Sequence, residues 1–557
     1  MGLGSDILKY YEQLRSQYYN FFFMGQDIVD YMMPSHKDIT VTRKPGEKKT
    51  QKIYDSTAPN GILLITSFVH GSVFPEGSQW FDSKHAVERL NENKDVTAYL
   101  QGARKAQLSS FRQSNFYSAT IEMVQDWLVF GNGCVIQERT PKKRPGLNPL
   151  VFTSVGFGSY VFFEGEDKRP GGLIRELEMS ADEMRRKWGE DKLSDRVKVM
   201  LKERPFDTVR IVHAIVPRDI VRYKRLATPK EMPWASLWFE KEEPKRPALE
   251  ESGYPEKPFA IARYNVIAGE VLGRGLGELA LPDVKTLNDA TRRGFIEWDK
   301  SLDPPINKLM GAVVGDVSHR PGSQNIIKKE NAITLMDKDL RVGNQTHQWN
   351  MDDRRKAVKE VFFSDKISGL LAAEEQPRNQ TAYQYSKRLE LMHLVMAPTG
   401  GRLYTEAIRD IVETNYSILF RTNQLPPLPD LLRVLAKTEE GNRTEVTYES
   451  PLAKSQRQEE IGNITEFLQI VDSLGQAHPE VLAIPNVAKM LRKISEAKSL
   501  QHLCNDEKTS DQINQLKNQL AQLQAALQAA EHASKTAKNL APVMKAQNDA
   551  QAQDKAA

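Results

Sequence analysis

A mixed α+β fold, predominantly helical, follows from three features of the 557-residue sequence. Apolar residues recur at helical spacing over long stretches at the amino terminus, in the middle and in the last quarter. Alternating segments bounded by turn residues run from CVIQERT to about residue 225. A small alternating unit near 304–349 is flanked by helical patterns on both sides. With 40% hydrophobic and 27% charged residues the chain can bury a sizeable core, and its length allows about three or four domain-sized units.

Taken in order, residues 5–33 place Leu8, Tyr11, Leu14, Tyr18 and Phe22 on one helical face, and Pro34 stops that helix. TRKPGEKKTQK reads as a basic, mobile loop with solvated charges. STAPNGILLITSFVHGSVF predicts a helix with an aromatic stop at Trp80-Phe81, and residues 104–130 predict another. Gly131-Asn132-Gly133 turns the chain into the strand CVIQERT. From 150 to 225 strands alternate with turns, interrupted by the short helix MSADEMRRKWG with Ser180 as cap and Glu183 at capping-box distance. The proline-rich residues 226–258 are expected to be loop or edge strand, and ARYNVIAGEV is a weak strand at best.

Residues 269–293, GEVLGRGLGELALPDVKTLNDATRR, raise the question of a phosphate cradle. Gly273, Gly275 and Gly277 form G-x-G-x-G, whereas a dinucleotide fingerprint needs G-x-G-x-x-G directly after a buried strand. No P-loop pattern occurs in the chain. The glycines are therefore expected to make a tight backbone passage into a helix, with Arg274 in the passage and Pro282 near the first helical turn. PDVKTLNDATRRGFIEWDKSL is a helix that halts at Pro304-Pro305, PINKLMGAVVGDVSHRPGSQNIIKKENAITLMD a β unit, and MDDRRKAVKEVFFSDKISGLL a returning helix. Together they predict an antiparallel helical stalk with a small cap. AAEEQPRNQTA follows as a loop, broken by Pro377. A long helical pattern then runs from Tyr383 to about Phe420, bent at Pro398 and Gly400-Gly401. Residues 454–503 are helical, and Ile513, Leu516, Leu520, Leu523, Leu527 and Ala530 make an a/d seam. The tail after Pro542 reads as disordered.

Several functions are disfavoured. A net charge of +4 is small for a protein that grips DNA through many phosphates. Cys134 and Cys504 make no disulfide framework. The first residues lack a signal peptide's apolar core, and no stretch approaches the roughly 20 apolar residues of a spanning helix. Ten histidines show no H-E-x-x-H, and no G-x-S-x-G is present. The acidic pairs Asp352-Asp353 and Glu374-Glu375 carry the main alternative, a nucleic-acid-processing enzyme holding magnesium. Adjacent carboxylates are more often simply solvated. A peripheral membrane protein, using the aromatic first helix and KKTQK, is a third class. The expectation is no enzyme, no cofactor and no metal.

The runs GEVLGRGLGELALPDVKTLN, SLDPPI and QTAYQYSKRLELMHLVMAPTGGRLYTEAIRDIV, with DSTAPNGILLITSFVHGSVFPEGSQWF and DWLVFGNGCVIQE upstream, resemble the head-to-tail connector, or portal, proteins of short-tailed bacteriophages. The resemblance implies a portal fold with wing, stem, clip and crown regions. Residues 1–278 would be the wing, 279–303 the first stem helix, 304–349 the clip and 350–371 the second stem helix. Residues 372–382 would be the tunnel loop, 383–453 a long bent helix and wing return, and 454–505 a helical crown. Residues 506–557 would form a coiled-coil or barrel-like helix and tail. It further implies a ring of twelve identical subunits at one capsid vertex, through which double-stranded viral DNA is packaged and ejected without sequence specificity. The implied partners are terminase, tail adaptor or nozzle proteins, and capsid and scaffolding proteins, with no membrane. The protein would be found in the virion, and in the host cytoplasm during assembly. By the same resemblance Glu374, Glu375, Arg378, Asn379 and Gln380 would face the DNA channel. Arg320, Lys328 and Lys329 would dock partners at the clip, and Gly273, Arg274, Gly275, Gly277 and Pro282 would turn wing into stem.

Overall fold

In the computed structural model, residues 3–85, 87–139, 150–218, 232–302, 306–318, 323–335, 340–375, 400–435 and 444–448 are described, with shorter helical pieces between 464 and 526. The amino-terminal pattern forms two helices, α1 (Leu3–Gln17) and α2 (Tyr19–Tyr31), not one. Tyr18 stands at the joint, where its hydroxyl donates to the Phe162 carbonyl at 3.0 Å. Tyr11, Leu14, Phe22, Ile28 and Val29 bury one face of the pair.

The basic stretch that follows is a strap, and its charges are not simply solvated. Arg43 donates to Asp30 at 2.8 Å and to Asp38 at 2.6 Å. Lys52 reaches Asp30 at 2.7 Å, and Lys49 lies 3.3 Å from Asp38. The Gln26 side-chain oxygen accepts the Ile39 and Thr40 amides at 2.7 and 3.0 Å. Burial alone would raise the Asp30 carboxyl, but hydrogen bonds from Lys52 and Arg43 outweigh it and hold the group below the usual carboxylate range. Charge composition could not reveal this, because the two acids lie at and beyond the edge of the basic run.

After α3 (Thr57–Val73) and β1 (Phe81–His85), the helix expected at 104–130 also divides, into α4 (Lys94–Gln113) and α5 (Phe116–Val129). Asn115 makes the break useful: its amide donates to the Phe152 carbonyl at 2.7 Å and its oxygen accepts the Phe152 amide at 2.9 Å. Trp80, Phe74, Phe111 and Phe116 form an aromatic cluster beside it.

The strands are β2 (Asn132–Arg139), β3 (Leu150–Val155), β4 (Tyr160–Glu164) and β5 (Pro170–Ser180), then β6 (Thr208–Pro217), β7 (Trp234–Glu240), β8 (Glu250–Tyr254) and β9 (Phe259–Arg263). They build a three-stranded sheet in the order β3-β2-β9 and an antiparallel five-stranded meander, β4 through β8. The expected helix is present as α6 (Ala181–Trp188) with its full capping box, and α7 (Asp195–Glu203) follows. Met184, Trp188, Leu193 and Val197 pack with Ile211 and Trp238 of the meander. One expectation fails here. The proline-rich segment contains β7, an interior strand, because its prolines fall outside the run WASLWFE. β9, wholly buried and paired with β2, overlaps the weak segment ARYNVIAGEV only at Ala262 and Arg263.

Tyr160, Arg175, His213, Trp238 and Glu250 lie directly opposite one another in a row across the meander. His213 is fully buried and stacks on Trp238 at 3.7 Å. The Arg175 Nε donates to its Nδ1 at 3.1 Å, so Nε2 carries the proton toward the Ser236 hydroxyl at 3.0 Å.

The remainder of the first unit, Met1–Leu452, holds α8 (Leu276–Leu302), β10 (Ile306–Lys308), β11 (Val313–Val314), β12 (Ile326–Ile327), β13 (Ile333–Leu335), α9 (Leu340–Val361) and α10 (Ser364–Glu375). A π turn (Tyr404–Ile408), α11 (Arg409–Arg421), α12 (Asp430–Leu435) and β14 (Thr444–Tyr448) complete it. β10 pairs with β13, β11 with β12, and β14 returns to β1. The returning helix begins at Leu340, ten residues before the expected boundary, since LRVGNQTHQWN has no proline to delay it. Gly400-Gly401 is helical, and the local irregularity is the π turn beyond it; Pro398 lies outside the described residues. In the second unit, Ala453–Ala557, Leu516, Leu520 and Leu523 are helical and exposed. Ile513, Leu527, Ala530 and the tail after Pro542 lie outside the described residues.

The buried row predicts an acid-sensitive body. Burial, reinforced by Arg175 and Lys187, holds the His213 imidazole well below its ordinary value of 6.5. The unfolded chain therefore takes up a proton that the folded chain refuses, and stability falls as pH drops through about 6.5. Urea unfolding of wild type and His213→Gln, measured from about pH 7.5 to about pH 5.5, tests this. The variant is expected to be less stable at neutral pH but flatter below it, by up to about 1.4 kcal/mol per pH unit.

Candidate functional site

The glycine passage is a contact between two backbones. Gly131 ends α5 at φ +83°, and its carbonyl accepts the Tyr264 amide at 2.9 Å. Asn132 clamps the other side: its oxygen accepts the Gly273 amide at 2.8 Å and its amide donates to the Gly273 carbonyl at 2.9 Å. A Cβ on Gly273 would stand 2.4 Å from the Gly131 oxygen, and one on Gly275 would stand 2.3 Å from the Val129 oxygen. Gly277 meets the same Val129 carbonyl. No phosphate cradle exists, because the Gly273 amide and carbonyl are occupied and the glycines face protein backbone. The two glycine clusters in the sequence are the two halves of one contact.

Arg274 staples the passage, pairing with Glu270 at 2.6 Å and with Glu278 one helical turn on, above the Phe21 ring. Pro282 was expected near the first turn but lies in the second, since α8 already starts at Leu276. Its missing N–H leaves the Glu278 carbonyl without an intrahelical donor.

Beside the passage, Arg263 at the end of β9 is a hub that the sequence did not reveal. Its guanidinium donates to Glu406 at 2.7 Å, to Glu164 at 2.6 Å, and to the Val271 and Lys168 carbonyls at 3.1 and 2.7 Å. The side chains of Arg263 and Glu406 are 4% and 7% exposed. Burial alone would lower the guanidinium's pKa, but the Glu406 and Glu164 carboxylates more than reverse that. Glu406 belongs to the π turn, whose extra residue per turn redirects side chains.

From this joint α8 runs out beside α9. Arg354 donates to Asp283 at 2.5 Å, and Thr291 reaches the Met351 sulfur at 3.7 Å. Asn288 accepts the Tyr54 and Asp55 amides at 2.6 and 3.0 Å, and Arg355 donates to Asp55 at 2.9 Å. Beyond Thr291 the helix leaves the body, with Phe295, Ile296 and Trp298 exposed, the last at 62%. The β unit at its end has almost no core: Ala312 and Ala332 are buried, while Leu309, Met310, Ile326 and Ile327 are exposed. Lys328 and Lys329 are exposed on this unit, and Arg320 lies outside the described residues. Beside these cations lies an apolar tip that charge alone does not mark. A readable signal was there, since so small a unit cannot bury five or six large apolar side chains.

Glu374 and Glu375, expected in a loop, form the last turn of α10. Pro377 constrains only the residue before it and those after, and Ala-Ala-Glu-Glu are good helix formers. Arg378, Asn379 and Gln380 lie outside the described residues. Asp352 pairs with Arg355 at 3.0 Å, and among the described residues no group of His, Cys, Asp and Glu is arranged to hold a metal ion. Cys134 is buried within β2, and burial pushes its thiol far up.

The geometry presents a body with tightly packed internal joints and a helical pair carrying an apolar cap. The sequence profile of the family described as "Bacteriophage head to tail connecting protein" matches residues 5–502. The chain is 25% identical over 484 residues to the "Probable portal protein" of Bordetella phage BPP-1, covering 86% of this chain and 84% of the relative. It is 23% identical over 502 residues to the "Portal protein" of Salmonella phage epsilon15, covering 88% of this chain and 86% of the relative. The chain belongs to the head-to-tail connecting, or portal, protein family of bacteriophages. Its role is structural, joining head to tail in the virion, and it is not an enzyme.

Two sets of substitutions test the joint. Gly275→Ala is expected to cost about 2–4 kcal/mol in urea unfolding, since a carbonyl would have to move, whereas Gly77→Ala, in open space, is expected to stay within about 0.5 kcal/mol. Arg263→Met alone is expected to cost about 3–5 kcal/mol by stranding Glu406 in the core. Arg263→Met with Glu406→Met is expected to cost clearly less than the sum of the single changes, and an additive cycle would show that the pair is not coupled.

Proposed function

We propose that the chain closes into a ring of twelve copies at one capsid vertex, with α8 and α9 as stem helices around a central channel. The observation that carries this reading is the apolar surface left in water by one copy: Phe295, Ile296 and Trp298 on the protruding part of α8, and Leu309, Met310 and Ile326 at its cap. Exposed apolar groups of this kind mark interaction surfaces. A head-to-tail contact repeated by rotation covers such a surface on every copy.

In this reading residues 1–278 are the wing and the β unit between α8 and α9 is the clip. Residues 372–382 form the tunnel loop, with Glu374 and Glu375 at its helical edge and Arg378, Asn379 and Gln380 beyond. Residues 383–453 return to the wing, 454–505 form a crown, and 506–557 a barrel-like helix. Double-stranded viral DNA passes through the channel without sequence specificity. Terminase docks at the clip during packaging, through Arg320, Lys328 and Lys329 and the apolar tip, and tail adaptor or nozzle proteins replace it. Capsid and scaffolding proteins contact the wing, and the ring assembles in the host cytoplasm. The match to proteins named portal proteins supports the portal reading as a whole.

Electron microscopy of the purified protein is expected to show rings with a central hole. Phe295→Asp with Trp298→Asp is expected to give folded chains that no longer close, because both residues are exposed in a single copy. Replacing residues 319–329 with a short glycine turn is expected to preserve the rings and abolish terminase and tail-adaptor docking. Wild-type protein that sediments only as monomer or dimer would overturn the ring.

A further inference from the structure

The strap, α1, α2 and strands β5 and β6 enclose an open cavity of about 700 Å³. Its floor is apolar. Phe22, Ile39 and Phe157 are buried there, with the two phenylalanine rings 5.7 Å apart. At the lip, Tyr19 and Val41 are exposed, at 58% and 45%.

Seven cationic side chains and four carboxylates line the wall. Most of the cations are committed: Arg43 and Lys49 to Asp38, Arg15 and Lys241 to Glu176, and Arg210 to Glu242. Lys37 and Lys44 are exposed, and neither has a carboxylate in ion-pairing range among the described residues. The strap that carries both is pinned by Arg43, Lys52 and the Gln26 contacts, so the cavity is formed before anything enters it.

We propose that this cavity docks an acidic peptide segment of another virion protein, seating one large apolar side chain on the Phe22–Ile39–Phe157 floor and flanking carboxylates on Lys37 and Lys44. Charge complementarity selects the occupant. Seven wall cations against four carboxylates leave the lining net positive, and duplex DNA fits poorly because a phosphate backbone gains nothing from an apolar floor. The inference rests on the cavity alone and does not depend on ring closure.

A random peptide library displayed against the full-length chain, with Lys37→Glu plus Lys44→Glu as the counter-target, tests it. Enriched peptides are expected to carry one large apolar residue flanked by Asp or Glu. Labelled copies are expected to bind the double variant about tenfold more weakly or worse, and to slow hydrogen exchange across residues 37–47 of the wild type. Both lysines are exposed, so the variant is expected to keep wild-type circular dichroism; should it unfold, exchange protection in the wild type decides. The proposal falls if no peptides are enriched, or if enriched peptides lack acids or an apolar anchor. It falls equally if a short DNA duplex competes for the strap. An altered particle size of the double variant by light scattering would instead place a second copy of this chain in the cavity.

Discussion

Everything that projects from this protein depends on one close contact, the backbone of residues 129–131 lying against that of residues 273–275. Carbonyl oxygens stand where side chains would begin, so neither segment can shift without losing the Asn132 clamp or the Gly131 hydrogen bond to Tyr264. Such a joint has one packing solution, because there is no side chain between the backbones to re-pack. It matters because α8 starts there. The direction in which the helix leaves the body, and with it the position of the β unit, is fixed at its root.

Arg263 works at the same place by a different kind of force. Its five donors gather a carboxylate from the π turn, another from β4, and two carbonyls from neighbouring loops. A buried arginine is tolerable only when every direction of its fork is answered. The hub therefore specifies which segments meet, while the glycines specify how closely. Burial of Phe259, Ile261 and Leu272 around them supplies the nonspecific stabilisation.

Much of this was legible where local rules suffice. The Ser180 cap with Glu183, the helix over 57–73, and the out-and-back helices around a small β unit all follow from spacing and caps. The glycine cluster is legible as a tight passage, but its partner, the end of α5, is not, because Gly131 lies about 140 residues away and no local pattern joins them. The long helices divided at Tyr18 and Asn115 for a related reason: each residue is drawn off by a distant carbonyl, Phe162 or Phe152. The interior strand β7 was hidden by prolines at its flanks, and the Arg263 hub by its dependence on a π turn far along the chain. The apolar tip near Met310 has no periodic signature, because its residues sit in short strands and turns.

Charge itself yields the last step. The most basic stretch of the sequence reads as a loop of solvated charges, yet Arg43, Lys49 and Lys52 are spent on Asp30 and Asp38. Arg263, Arg274, Arg354 and Arg355 are likewise answered by carboxylates. The near balance of 77 Lys and Arg against 73 Asp and Glu, a net charge of +4, supplies carboxylates for such pairing. Each lysine or arginine left facing a duplex would add about 0.9 to the salt slope of binding, and a ring would multiply that by its number of copies. A basic lining would hold the duplex in place, whereas a conduit must let it slide. Internal pairing ties the strap and the stalk to the body, and it leaves fewer cations unpaired.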